Sequence, residues 1–293
     1  MPKQVELKKL EEELTGKLEE IATKHNATII SFVAPRAVRT SPVTFAHASI
    51  EESEIYRLED IVKKAVQKKT TKLLYFIVHT PGGEMHTTYK IANFLRSKFD
   101  NIKAFVPYEA ASGGTILCCA ANELYLGELG NLTSIDPQVR HKQTGVSSHA
   151  FIRTAESIEE EYGDRSPEEM PNPWNQMAEK LDPVIYNEMS TAVNTAIICA
   201  ARLLKKSGYS NESAYAIGYR LTKNMYTHGF PLFADDVENL GFRVKPNDAI
   251  MDTFSRLVLC RLKEEYPRHA IDDFYPSAKK KIITKKKNAR KRK

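Results

Sequence analysis

Between residues 72 and 126 the chain alternates short β-rich apolar runs with stretches of helical spacing, and a glycine pair follows each of the first two runs. Lys72 to Val78 and Ile102 to Val106 are too short for helices and rich in branched and aromatic residues, which predicts buried strands. Between them, Met85 to Phe99 carries helical spacing through Tyr89, Ile91, Ala92, Phe94 and Leu95. Residues 112–121 read as a buried helix of small and apolar residues, and Glu123 to Leu126 as a third strand. With a further helix over 55–66, this order predicts an α/β fold of right-handed βαβ units on a largely parallel sheet.

The flanking segments supply appended helices. Val5, Leu7, Leu10, Leu14, Leu18 and Ile21 recur every three or four residues among Glu and Lys, an amphipathic helix that packs on the body or on another subunit. Residues 28–50 read as strand and loop, so the N-terminal segment is set at 1–51 and the main domain at 52–277. Residues 141–173 are polar and acidic with three prolines, which predicts a mobile surface insert holding a short helix and gating a cleft. Helices are expected over 174–206, restarting at Pro183, and over 212–223, 233–240 and 249–265, with a short strand at 242–244.

Composition narrows the class of function. The longest apolar runs are six residues, against about 20 for a membrane-spanning helix. The first 25 residues have no apolar signal-peptide core, so a cytoplasmic protein is expected. Cys118, Cys119, Cys199 and Cys260 lie in apolar stretches without a Cys-x-x-Cys pair and read as reduced core residues. The net charge of +6 is an effect of the C-terminus: residues 279–293 hold ten Lys or Arg and no acid, and without them 33 basic residues face 37 acidic ones. Lys279 to Lys293 are expected to form a disordered tail able to touch nucleic acid or an anionic surface. No metal-ligand spacing, phosphate loop or dinucleotide fingerprint is present in the sequence, so neither metal nor cofactor is expected.

The two glycine turns carry the chemistry. After Leu73 to His79 comes Thr80-Pro-Gly-Gly83, where Pro81 sets a turn and the glycines permit positive φ and close approach of another chain. After Val106 comes Ala111-Ser-Gly-Gly-Thr115, with Ser112 at a strand-to-helix junction. Ser112 fits two roles there, an N-cap or a nucleophile whose oxyanion is held by backbone N–H groups. Gly83 and Gly113 are the candidate oxyanion donors, with Gly82, Gly114 and Asp136 as candidate substrate contacts. Because the turns end successive strand–helix units, they are expected to fall side by side at one edge of the sheet. His79 and His86 flank the first turn and are expected to position loops or bind substrate.

Strand–Thr-Pro-Gly-Gly83–helix, strand–Ala111-Ser-Gly-Gly-Thr115–helix, Glu123-Leu-Tyr-Leu-Gly127 and Leu132-Thr-Ser-Ile-Asp-Pro-Gln138 together resemble the serine dehydrogenase proteinase family. That family shares the ClpP/crotonase fold class with the proteolytic subunit of Clp and signal peptide peptidase A. The resemblance covers residues 52–245 and is strongest over 73–138. It implies a serine peptidase acting on peptide or protein substrates, with Ser112 as nucleophile, Gly83 and Gly113 as oxyanion donors, and a homo-oligomer. The base is open: Asp136 stands in the region where ClpP has its His, and signal peptide peptidase A uses a Lys after a variable insert. Lys180, amid Met177, Ala178 and Leu181, is the preferred base if buried, making a Ser-Lys dyad. His228, before a short helix, is the alternative. Rival readings of the same fold are a crotonase-type thioester enzyme and a non-catalytic oligomeric scaffold.

Overall fold

The computed structural model describes residues 2–34, 38–39, 45–46, 48–67, 71–141, 144–223, 227–263 and 269–275. Chain order is α1 (Pro2–His25), β1 (Thr28–Val33), β2 (Val38–Arg39), β3 (Phe45–Ala46), α2 (Glu52–Gln67), β4 (Leu73–His79), α3 (Met85–Lys98), β5 (Asn101–Val106), β6 (Glu109–Ala110) and α4 (Gly113–Cys118). It continues with β7 (Glu123–Leu126), β8 (Asn131–Leu132), β9 (Gln138–His141), β10 (Thr144–Ser147), α5 (Ser148–Tyr162), α6 (Trp174–Ala178) and α7 (Pro183–Lys206). The last elements are α8 (Asn211–Lys223), α9 (Ala234–Asn239), β11 (Val244–Lys245), α10 (Ile250–Leu262) and β12 (Ala270–Phe274). The basic stretch 279–293 lies outside the described residues.

Six strands form one sheet in the order β11-β7-β5-β4-β1-β12, parallel except for β12. The largely parallel α/β sheet expected from the alternation is therefore present. The boundary set at residue 51 is not a structural one, because β1 lies inside this sheet, from Thr28 beside Leu74 to Val33 beside His79. A strand was expected within 28–50, but not as part of the main sheet, where its six residues are all buried. β12 was not anticipated; it pairs antiparallel with β1 and protects what would otherwise be an edge.

Side chains alternate between the two faces of the sheet, as a strand requires. Ile30, Phe32, Leu74, Phe76, Val78, Ile102, Ala104 and Val106 join the larger core with α2, α3, α4 and α8. Ile29, Val33, Tyr75, Ile77 and Phe105 face Leu18 and Ala22 of α1 and Phe254, Leu257 and Val258 of α10. The stripe of α1 is thus covered by its own chain at Leu14, Leu18 and Ala22.

Residues 141–173 depart from the expected loop. β9 and β10 form an antiparallel hairpin, and α5 runs fifteen residues with Ser147 accepting a hydrogen bond from the Ala150 N–H at its start. Ile152 of α5 packs with Met189, Val193 and Ile197 of α7. The glutamates that suggested a loop occupy the outer face of an amphipathic helix. Among the described residues no helix is long and apolar enough to cross a membrane.

A smaller layer stands over the C-terminal ends of the main strands. Thr80 bridges Ala110, β6 pairs parallel with β8, and Leu132 bridges Leu232. These pairings continue the chain from β4, β5 and β7 into the turns that hold Gly82, Gly83 and Ser112.

Phe105 is 1% exposed, stacked on Tyr125 at 4.5 Å and edge-on to Phe254 at 4.8 Å. Phe105→Ala is expected to destabilise the protein by about 3–5 kcal/mol in urea unfolding. A loss under about 1 kcal/mol would show that α10 does not close that face of the sheet.

Candidate active site

Ser112 sits between β6 and α4 with φ 51° and ψ −110°, a left-handed conformation costly for any residue with a Cβ. Its N–H donates to Thr133 Oγ1 at 2.8 Å. Thr115 Oγ1 donates to the carbonyls of Ala110 and Thr133 at 2.9 and 2.8 Å, tying α4 to the strand on either side of the turn. Among the described residues the Ser112 hydroxyl makes no cap bond to α4. The capping role left open by the sequence is therefore not the one it plays.

The first glycine turn folds against the second. Gly82 has φ +96°, and a Cβ there would lie 2.8 Å from both Ser112 Cβ and the Gly113 nitrogen. Ile50 pairs beside Gly83, donating to the Gly82 carbonyl and accepting from the Glu84 N–H. In that parallel pairing the Gly83 N–H faces away from Ile50. The Gly83 nitrogen lies close to the second turn, where a Cβ on Gly113 would fall 3.1 Å from it. A Cβ on Gly83 would meet the Ile50 nitrogen at 2.1 Å, so only glycine fits.

These turns line a cleft of about 620 Å³ with Ser49, Pro81, Ala111, Thr133, Gln138, His228 and Gly229. His228 lies in a turn where Phe230 N–H donates to the Thr227 carbonyl at 3.1 Å, and the paired bonds between Leu132 and Leu232 anchor the segment that follows. Its Nδ1 is 2.8 Å from Asp136 Oδ1. The imidazole is 30% exposed and the carboxylate 6%, so the carboxylate lies behind the imidazole and outside the cleft wall.

Asp136 is held from four sides. Ser134 Oγ also donates to Oδ1, while Gln138 Nε2 and Ser147 Oγ donate to Oδ2 at 2.9 and 2.7 Å. Burial raises its pKa, but the bonds from His228, Ser134 and Ser147 outweigh that penalty and hold the carboxyl below its ordinary value. An ionised Asp136 fixes Nδ1 of His228 as a donor and leaves Nε2 for the cleft.

Several expectations need correction. Lys180 is exposed in the turn between α6 and α7 and does not line the cleft. Of the apolar neighbours that suggested burial, Met177 and Ala178 belong to a five-residue helix with no buried side chain, and Leu181 lies in the turn after it, half-buried. Asp136 is not placed to touch substrate, since both its oxygens are engaged. Gly114 also lies outside the cleft wall; a Cβ there would press on Thr80 Cγ2 at 2.7 Å, so its smallness serves packing. His79 is buried beneath the turn, where desolvation lowers its pKa to about 4, and His86 is exposed at the start of α3. Ser49, Thr133 and Gln138 were not singled out from the sequence. Thr133 and Gln138 flank the Ser134-Ile-Asp136 segment, and that proximity was the available signal.

Residues 1–289 match the family described as ClpP-like SDH-type serine proteinase. The chain therefore belongs to that family of serine proteinases. It is 24% identical over 250 residues to Uncharacterized protein MJ0137 of Methanocaldococcus jannaschii, covering 84% of this chain and 78% of that one. Uncharacterized protein MJ1495 of the same organism is 25% identical over 171 residues, 58% of this chain and 51% of its own length. Among solved structures, a lysine-to-alanine mutant of the 1510-N membrane-bound stomatin-specific protease in complex with a substrate peptide has a TM-score of 0.43 at 14% identity, covering 69% of this chain and 73% of that chain. A serine-to-alanine mutant of the same protease has a TM-score of 0.44 at 12% identity, covering 71% and 79%.

The backbone at Ser112 generates a stability prediction. Ser112→Gly and Ser112→Ala both remove the hydroxyl, but only glycine relieves the left-handed strain of about 1–3 kcal/mol. Allowing for glycine's greater entropy when unfolded, Ser112→Gly is expected to exceed Ser112→Ala by about 1 kcal/mol in urea unfolding. Equal or lower stability for Ser112→Gly would show that the turn is unstrained.

Proposed function

We propose that the chain is a serine peptidase in which Ser112 is the nucleophile, His228 the general base and Asp136 its orienting acid. The supporting observation is the 2.8 Å contact between His228 Nδ1 and a buried Asp136 carboxylate at the wall of the cleft that holds Ser112.

The geometry suits acyl transfer. A substrate carbonyl entering between the glycine turns meets Ser112 Oγ on one side and the N–H groups of Gly83 and Gly113 on the other. As Oγ bonds to the carbonyl carbon, its proton passes to His228 Nε2, and the new oxyanion accepts from the two amides. Collapse of the tetrahedral species breaks the C–N bond, and His228 returns the proton to the departing amine. Water then attacks the acyl-Ser112 ester, giving its proton to His228. The second collapse releases the carboxylic product and restores the Ser112 hydroxyl. Throughout, Asp136 stabilises the imidazolium and holds the ring.

Lys180 is the competing base. It is exposed and does not line the cleft that holds Ser112. The expected result is that His228→Ala lowers kcat at least about 100-fold on a fluorogenic peptide while Lys180→Ala stays within about twofold. A large loss in Lys180→Ala with little loss in His228→Ala would restore the Ser-Lys dyad.

Asp136 adds a pH test of folding. Its folded pKa is depressed, so its contribution to stability is complete above the unfolded value of about 3.9 and is lost as pH falls from there through the folded value. Asp136→Asn is expected to be less stable than the native chain at pH 6 and to lose less stability between about pH 5 and pH 3. Parallel pH curves for the two proteins would contradict the ionised, hydrogen-bonded carboxylate.

A further inference from the structure

We propose that His269 is a positioning residue for this cleft, acting through Thr80 to hold the Gly82–Gly83 turn in the shape that presents the Gly83 amide. The inference rests on the peptidase reading above for its link to catalysis, but the clamp itself stands on separate contacts.

Thr80 is completely buried at the end of β4 and touches both glycine turns. Its N–H donates to the Glu109 carbonyl and its own carbonyl accepts from the Ala111 N–H, each at 3.0 Å, which ties it to the strand leading into Ser112. Its methyl group lies where a Cβ on Gly114 would fall. Its hydroxyl oxygen accepts from the Gly82 N–H at 3.1 Å and lies 2.6 Å from His269 Nε2. With that lone pair engaged by Gly82, the Thr80 proton is free to donate to His269. The result is a relay from imidazole through hydroxyl to the amide preceding Gly83.

His269 reaches this position from the far end of the sequence. It opens into β12, whose Ala270 pairs with Val33 of β1. Arg57 Nη1 of α2 donates to its carbonyl at 2.6 Å, and its ring lies 4.2 Å from that of Phe32. The ring is 1% exposed. Burial, with Arg57 and His79 nearby, lowers its pKa to about 3, so the imidazole is neutral and its Nε2 can accept. A polar group at such depth needs a reason beyond packing, since phenylalanine would fill the same space on Phe32. The C-terminal strand therefore does more than cover the edge of β1: it carries the group that fixes the turn beneath Gly83.

The test compares Thr80→Val, His269→Phe, their double mutant and Thr80→Ser in the full chain. Val and Phe keep the shape and remove the polar atoms, whereas Ser restores the hydroxyl. The first readout is the rate at which an alkyl fluorophosphonate modifies Ser112, a reaction that also develops charge on an oxygen facing the oxyanion amides. Thr80→Val and His269→Phe are each expected to slow it about tenfold, less than the 10²–10³-fold cost of losing an oxyanion donor outright. The double mutant is expected to match the single ones, because both break the same relay, and Thr80→Ser to remain within about twofold of native. The second readout is hydrogen exchange at the Gly82 amide, expected to be about tenfold faster in both polar-to-apolar variants while the β4 and β5 amides keep their native rates. Native modification rates, an additive double mutant or unchanged Gly82 exchange in His269→Phe would overturn the clamp. If the native chain is not modified at Ser112, the peptidase reading fails, and Gly82 exchange alone then decides for or against the clamp.

Discussion

The left-handed backbone at Ser112 is the constraint on which the site depends. A residue with a Cβ stays at φ 51° only if its surroundings specify that conformation strongly. Here Thr133 Oγ1 takes the Ser112 N–H, Thr115 Oγ1 bridges the carbonyls of Ala110 and Thr133, and Gly82 leaves no atom where a Cβ would collide with Ser112. The strain is therefore supported by threonine hydroxyls and a glycine, all buried against the ends of β4 and β5. It turns the serine side chain away from capping α4 and into the cleft.

The small layer above the main sheet gives these parts a common frame. Thr80 beside Ala110, β6 beside β8 and Leu132 beside Leu232 carry pairing from the first glycine turn to the segment after His228. Asp136 follows β8 by four residues and His228 precedes Leu232 by four, so the Leu132–Leu232 pair brings the acid and the imidazole together. The β9–β10 hairpin then supplies Gln138 and Ser147 to the other carboxylate oxygen. In the proposed mechanism the nucleophile, amides and base come from different turns but rest on one hydrogen-bonded layer, which is how a fold converts pairing into pre-organised chemistry.

Much of this arrangement was legible in the sequence because it is local. The strand, glycine pair and helix of each unit lie within about 25 residues, and they pointed to the parallel sheet and singled out Ser112, Gly83 and Gly113 as candidate site residues. What the sequence could not show was pairing at long range. Asp136 and His228 are 92 residues apart, and nothing in the composition of either segment announces their contact. Lys180 attracted attention through Met177, Ala178 and Leu181, yet none of the three is buried and Lys180 itself is exposed. The strand expected within 28–50 gave no sign of its pairing with β4, further along the chain, and β12 was hidden by the polarity of Asp272 and Asp273. The acidic insert read as a loop around a short helix because glutamates and prolines mark it, although Ile152 and Ile158 are buried on the inner face of α5. Charge on an outer helix face and looseness look alike until the packing partner is known.

The central claim is that Ser112, the Gly83 and Gly113 amides and His228 act on one carbonyl. A crystal structure of the full chain treated with a peptide boronic acid tests it most directly, because boron becomes tetrahedral on bonding to the nucleophile and places one oxygen where the oxyanion forms. The account predicts boron bonded to Ser112 Oγ, one boronate oxygen within about 3 Å of both glycine nitrogens, and His228 Nε2 within about 3 Å of Ser112 Oγ or the second boronate oxygen. Boron on another side chain, an oxygen directed away from the two amides, or Lys180 Nζ in the place assigned to the imidazole would contradict it.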